Sequence, residues 1–188
     1  MGGALSFVAN PVITAANVLA SQRIEALQWY AVQTRYRCEQ KAVEQLSHKD
    51  VEAFLPQYRE VHRWSDRQKA IRTPLFSGYV FVHLAADSGA RLRVLRTSGV
   101  IEFVTFSGKA VPIPAKQIED LRVLLTSRAP CALHAFLKTG QKVRIRGGCL
   151  DGVEGVLAQH GEKFLVISVD SIERSVAIKI EGYDLEMI

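Results

Sequence analysis

Five cations, Arg59, Arg63, Arg67, Lys69 and Arg72, fall in one short stretch, against two acidic residues, Glu60 and Asp66. Side chains of this kind along a hairpin can hold phosphates, with an affinity that falls as salt rises. The same charges also fit a merely solvated hairpin. Directly after them come the aromatic residues Phe76, Tyr79 and Phe81. Covalent chemistry has no comparable constellation. His48, His62, His83, His134 and His160 show neither an HExxH nor a paired spacing. Cys38, Cys131 and Cys149 are odd in number and far apart, so they build neither a disulfide framework nor a CxxC zinc site. GxSxG, P-loop and GxGxxG patterns are missing, and the carboxylates mostly stand beside Lys or Arg. Nothing here asks for an enzyme, a metal or a cofactor.

The background composition is that of a folded chain. Its 188 residues carry a net charge of +5, with 48% hydrophobic and 23% charged residues. The pI is about 9.2 and the mean hydropathy +0.06. These values exclude a disordered or collagen-like chain. Unpaired cysteines favour a reducing, cytoplasmic setting. Residues Ala4 to Ala20 are apolar and uncharged, but the first cation is Arg23, and Asn10, Pro11 and Asn17 interrupt the run. That suits neither a signal peptide nor a membrane span. We read residues 1–27 as a loosely held tail, helical over Ile13 to Leu27.

The elements that must position the cations and aromatics follow in order. Trp29 to Gln33 reads as a strand, and Thr34 as the cap of a helix from Arg35 to about His48. Cys38, Ala42 and Leu46 form its apolar face. Val51 to Leu55 and Tyr58 to Trp64 read as strands, Ser65 to Thr73 as a hairpin tip, and Leu75 to Val82 as the strongest strand. A helix over Asp87 to Thr97 offers Leu92 and Leu95 to the core. Val100 to Phe106 is a further strand, Ser107 to Lys109 a turn, and Pro114 to Thr126 a helix burying Ile118, Leu121 and, in part, Val123 and Leu125. The expected fold is α+β: an antiparallel sheet with packed helices over residues 28–126.

Residues 127–137 contain Pro130 and no periodicity, so they read as a linker. Over residues 138–188 the pattern changes to short strands, Lys142 to Arg146, Val153 to Gln159, Lys163 to Val169 and Arg174 to Ile180, separated by glycine turns. That predicts a small SH3-like β-barrel. Charge divides between the two parts: residues 29–126 hold 15 Lys+Arg and 10 Asp+Glu, net +5, and residues 138–188 hold 7 and 8, net −1.

Two signatures carry a family resemblance. Gly140, Val143, Ile145, Gly148, Gly152 and Gly155 stand at the spacing of the KOW motif. Upstream of it come Trp29-Tyr30-Ala31-Val32, then Pro74-Leu75-Phe76-Ser77-Gly78-Tyr79-Val80-Phe81-Val82, then Gly99-Val100-Ile101-Glu102-Phe103-Val104. In this order they resemble the NusG family over residues 28–188, with Ser77 where most members have Pro. Trp64-Ser65-Asp66-Arg67 and the compact length resemble specialised paralogues of the UpxY and RfaH kind. The resemblance implies an elongation and antitermination factor, monomeric and without a membrane anchor. Its N-terminal domain would bind the clamp of bacterial RNA polymerase through Phe76, Tyr79, Phe81 and Phe103, Tyr79 being the best contact and simple core packing the competing reading for all four. The basic hairpin would meet nontemplate or upstream DNA. The KOW barrel would recruit a second partner, Rho or a small-subunit ribosomal protein in relatives. Relatives that touch the polymerase gate loop carry His-Thr-Thr where this chain has Ala90, Arg91 and Leu92. The other reading, a KOW-containing rRNA-binding or ribosome-associated protein, calls for a basic barrel, which this one is not.

Overall fold

Alternating side chains make the N-terminal sheet two-faced, and its two faces bury different helices. A computed structural model describes residues 27–63, 68–85, 88–127, 129–137, 140–160 and 162–188; of residues 60, 61–63, 68–70, 88, 159, 160 and 162 it describes the backbone alone. Strands β1 (Gln28–Thr34), β2 (Glu52–Phe54), β5 (Tyr79–Leu84) and β6 (Val100–Phe103) run in the order β2-β5-β1-β6. All pairings are antiparallel, and β9 (Pro112–Ile113) joins the start of β1. β3 (Gln57–Arg63) and β4 (Gln68–Pro74) form a separate ribbon, as do β7 (Thr105–Phe106) and β8 (Lys109–Ala110).

Tyr30, Val32, Val80, Val82 and Leu84 point to one face and pack with helices α1 (Glu39–Ser47) and α2 (Ser88–Leu95). Trp29, Ala31 and Phe81 point to the other and pack with Ile118, Leu121 and Leu124 of α3 (Ala115–Ser127). The two sets obey the period-two rule of a pleated strand.

Several local expectations are corrected. The first helix starts at Glu39, not Arg35, with Cys38 at its N-cap. Thr34 is still paired: its N–H donates to Gly78 O at 2.8 Å, and Arg35 N–H donates to Gly99 O at 2.8 Å. Those bonds hold the backbone in the sheet, so Thr34 does not cap the helix, and its buried Oγ1 has no partner among the described residues. The hairpin is longer than read, because β4 occupies Gln68–Pro74. In α2 the inward row is Ala90 and Val94, both buried, whereas Leu92 and Leu95 are exposed. Leu92 lies half a turn away from that row. The strand read over Val100 to Phe106 is divided at Val104, whose N–H donates to Ala31 O at 2.9 Å. Residues 1–26 lie outside the described residues, and with them all but the last residue of the helix expected over Ile13 to Leu27. Among the described residues no helix is long and apolar enough to cross a membrane.

The C-terminal half is one antiparallel sheet in the order β10-β14-β13-β12-β11-β15, from β10 (Cys131–His134), β11 (Lys142–Arg146), β12 (Glu154–His160), β13 (Glu162–Val169), β14 (Arg174–Lys179) and β15 (Asp184–Met187). β10 lies inside the stretch read as linker. Cys131, Ala132, Leu133 and His134 pair with Ile178, Ala177, Val176 and Ser175. A free edge of β14 supplied the hydrogen bonds that an apolar periodicity would otherwise have announced. β15 was not read from the sequence either. Val143 and Ile145 face a core with Leu150, Val153, Leu165, Ile167, Val176 and Ile178. Two motif glycines have distinct reasons. Gly152 has φ +80°, which L side chains rarely adopt. At Gly155 an added Cβ would lie 2.6 Å from the Val166 carbonyl oxygen.

Candidate functional site

The aromatic residues singled out in the sequence separate into two groups. Phe76, Tyr79 and Phe81 gather on the α3 side of the sheet. Strict alternation would have put Phe76 on the opposite face. It does not, because the strand begins only at Tyr79. Gly78 turns the chain at φ +82°. Tyr79 N–H donates to Phe76 O at 3.2 Å. The buried Glu39 carboxylate accepts the Gly78 N–H at 2.8 Å, tying the turn to α1. Phe76 meets Phe81 edge to face, with centroids 6.3 Å apart and planes at 82°. Such pairs add about 0.5–1.5 kcal/mol beyond area burial.

Burial divides them again. Phe81 is 0% exposed and Phe76 3%, so neither offers a free surface; Tyr79 alone of the three is half-buried. Phe103 lies elsewhere. Its strand β6 pairs with β1 rather than β5, and its ring packs at 86° to Tyr30 on the α1/α2 face, beneath Arg91. The motif order along the chain suggests a strand next to that of Tyr79, but in the sheet β1 stands between β5 and β6.

A residue missed in the sequence takes its place beside Tyr79. Phe106 is 76% exposed at the end of β7. Ser107 at φ +50° and Gly108 at φ +76° make the tight turn that follows. Two consecutive positive φ angles mark a type I′ hairpin, whose short strands cannot bury a phenylalanine. Tyr79, Val104, Phe106 and Val111 line one wall of a cleft of about 330 Å³. Residues Asp170 to Glu173, a 3-10 turn of the C-terminal sheet and the residue after it, line the other. An aromatic phenylalanine just before a Ser-Gly turn was the available signal.

The opposite end of the same face is closed by a charged and aromatic cluster. Arg122 of α3 lies over the rings of Trp29 and Phe54, at 5.0 and 5.2 Å. Its Nη2 donates to Glu52 Oε1 at 2.9 Å, while Glu52 Oε2 lies 2.8 Å from His83 Nδ1. His83 stacks on Trp29 at 4.7 Å. The Arg122 hydrogen bond, followed by that of His83, holds the Glu52 carboxyl below its ordinary range. This network clamps α3 to the sheet.

In the basic ribbon, Arg59 pairs directly with Arg72 across β3 and β4, and both are exposed. Like charges directly opposite destabilise a strand pair. Near them Phe54, Tyr58, Leu124 and Leu125 line a groove of about 710 Å³ that both arginines border. His62 pairs with Lys69 and Arg63 with Gln68 in the backbone register, their side chains lying outside the described set. Arg67 lies outside the described residues. In the C-terminal sheet, by contrast, two arginines are neutralised: Arg144 bonds Glu154 at 2.7 Å and Glu186 at 3.3 Å, and Arg146 also pairs with Glu186.

Comparison with known proteins converges on one family. The family model described as "Transcription termination factor nusG" matches residues 27–122. A transcription termination/antitermination protein NusG of Borreliella burgdorferi is 25% identical over 182 residues, covering 85% of this chain and 98% of its own. The protein of the same description from Staphylococcus aureus is 26% identical, covering 89% and 100%. The solved structure described as "Domain interaction in Thermotoga maritima NusG" aligns with a TM-score of 0.52 at 21% identity, over 86% of this chain and 97% of that one. That last likeness is one of fold.

Proposed function

Since the chain belongs to the NusG family, we propose that it is a transcription elongation and antitermination factor that holds the clamp of bacterial RNA polymerase through the Tyr79 cleft. The observation that carries this reading is the pairing of a half-buried Tyr79 with an exposed Phe106 on an open apolar wall. Large apolar rings at a pocket mouth are the residues that anchor interfaces. Phe76 and Phe81 would act from behind, as packing that fixes the Tyr79 backbone. Phe103 would stabilise the domain from its far side. The cleft is shared with Asp170 to Glu173, so a partner that fills it must displace that turn.

The Arg59–Arg72 ribbon supplies the second contact, to nontemplate or upstream DNA. Two opposed, exposed arginines favour an outside anion. Reversing both, Arg59→Glu with Arg72→Glu, should weaken DNA association and flatten its dependence on log salt by about two phosphate contacts. A filter-binding or fluorescence titration across salt concentrations reads this. An unchanged slope would reduce the ribbon to a solvated hairpin.

A factor bound to both clamp and DNA stabilises the closed elongation complex, which pauses less. In single-round transcription with purified polymerase we expect shorter pauses and more full-length RNA. Enhanced Rho-dependent release would instead identify a housekeeping role. The C-terminal sheet would recruit the second partner, Rho or a small-subunit ribosomal protein. The rRNA-binding reading is disfavoured by the net charge of −1 over residues 138–188 and by the ion pairs that occupy Arg144 and Arg146. Tight rRNA binding without any effect on polymerase would reverse that choice.

A further inference from the structure

Helix α3 meets the C-terminal sheet through polar groups as well as through its apolar row. Asp120, only 3% exposed, lies at this contact. Its carboxylate pairs with Lys116 one turn earlier on the same helix and accepts the backbone N–H of Glu154 from β12. Lys116 Nζ also donates to Gly152 O of the C-terminal half at 2.7 Å, and Gln117 Nε2 donates to Asp170 Oδ2 at 3.1 Å. The charged groups around the carboxylate are therefore Lys116 on its own helix and Glu154 across the contact, with Lys142 and Asp170 lining the same cleft. Gln117 Oε1 and, in the 3-10 turn, Ser171 Oγ are buried without a partner among the described residues.

We propose that the ionised Asp120 carboxylate opposes closure of the C-terminal sheet over the Tyr79 cleft, so that neutralising it favours the closed arrangement. With the halves apart, Asp120 and Lys116 form an ordinary exposed i,i+4 pair in water. With the halves together, the carboxylate gives up that water for one ammonium and one backbone N–H. Burial is the dominant influence and pushes its carboxyl above the ordinary aspartate range, despite the Lys116 bond. A group with the higher pKa in the closed form binds a proton more readily there. Closure is thus favoured as pH falls into the interval just above the usual carboxylate range, and is opposed at neutral pH, where Asp120 is ionised. The two orphaned oxygens act in the same direction, because opening rehydrates them. Closure is held by apolar contact and by the Lys116 and Gln117 N–H bonds, and is loosened by these three oxygen-bearing groups, which leaves the cleft accessible to a competitor.

This inference rests on the contact between the two halves and not on the polymerase reading, so its test uses the chain alone. Amide hydrogen exchange of the full chain is followed in α3 and in Asp170 to Ile172. Asp120→Asn keeps the shape and an acceptor but removes the charge, and should slow exchange in both segments several-fold at pH 7. Wild type should slow likewise on acidification, after correction for intrinsic rates, and Asp120→Asn should not. Lys116→Met, which strips the counter-charge and the bond to Gly152, should speed exchange in both. Amides of β1 and β5 report on the fold and should be unchanged throughout. Unchanged or faster exchange in Asp120→Asn, with β1 and β5 intact, would mean that Asp120 holds the contact together, and would overturn the proposal.

Discussion

Phe81→Ala should unfold the N-terminal domain at far lower urea concentration, with a loss of about 3–5 kcal/mol. The ring is fully buried between Phe54 and Phe76, at centroid distances of 6.2 and 6.3 Å. It stands on β5, the strand that pairs with both β1 and β2. Truncation removes the transfer free energy of the ring and leaves a cavity that three elements cannot easily fill. A loss of this size is a large part of the 5–15 kcal/mol that holds a domain folded. Equilibrium urea denaturation followed by tryptophan fluorescence measures it, since Trp29 lies in the same core. A loss below about 1 kcal/mol would mean that the ring is accessible and belongs to the contact surface after all.

The converse result is expected at the mouth of the cleft. Tyr79→Ala with Phe106→Ala should leave the chain folded and weaken association with purified bacterial RNA polymerase on the order of a thousandfold. Anchor residues at the centre of an interface contribute about 2 kcal/mol or more each on truncation, and about 1.4 kcal/mol is a factor of ten. Phe106 contributes little to the fold because its ring is mostly in water. Tyr79 also faces the turn Asp170 to Glu173. Its truncation loosens that contact, which by itself would ease access, so a net loss of affinity speaks for direct contact. Circular dichroism and a melting curve confirm the fold, and a binding titration gives the affinity. Unchanged affinity in a folded double variant would remove the cleft from the polymerase interface.

The contrast between these two variants marks where sequence reading succeeded and where it stopped. Tyr79, Phe81 and their neighbours were legible as one strand because β-branched and aromatic residues crowd together there. Which of them is buried was not, since burial depends on α3, whose apolar residues lie some forty positions later. Alternation through Leu75 to Val82 would set Phe76 on the face opposite Tyr79, and only the glycine turn at Gly78 brings it to the same side. Phe103 was placed with the wrong neighbours because a motif gives order along the chain, whereas β1 intervenes between β5 and β6. Phe106 was overlooked because an isolated aromatic beside a turn looks like the end of a strand.

Composition, alternation and glycine spacing by themselves determined the α+β class, the change of pattern near residue 138, the basic ribbon and the family resemblance. These are local properties, carried by side-chain type and period. Only the tertiary structure decided that β10 completes the C-terminal sheet, that Asp120 is desolvated between the halves, and that Tyr79 and Phe106 share a cleft with Asp170 to Glu173. Each depends on segments far apart in the chain meeting in space. Hydrogen-bond satisfaction, loss of water and access to a surface are properties of that meeting and of no single stretch of residues.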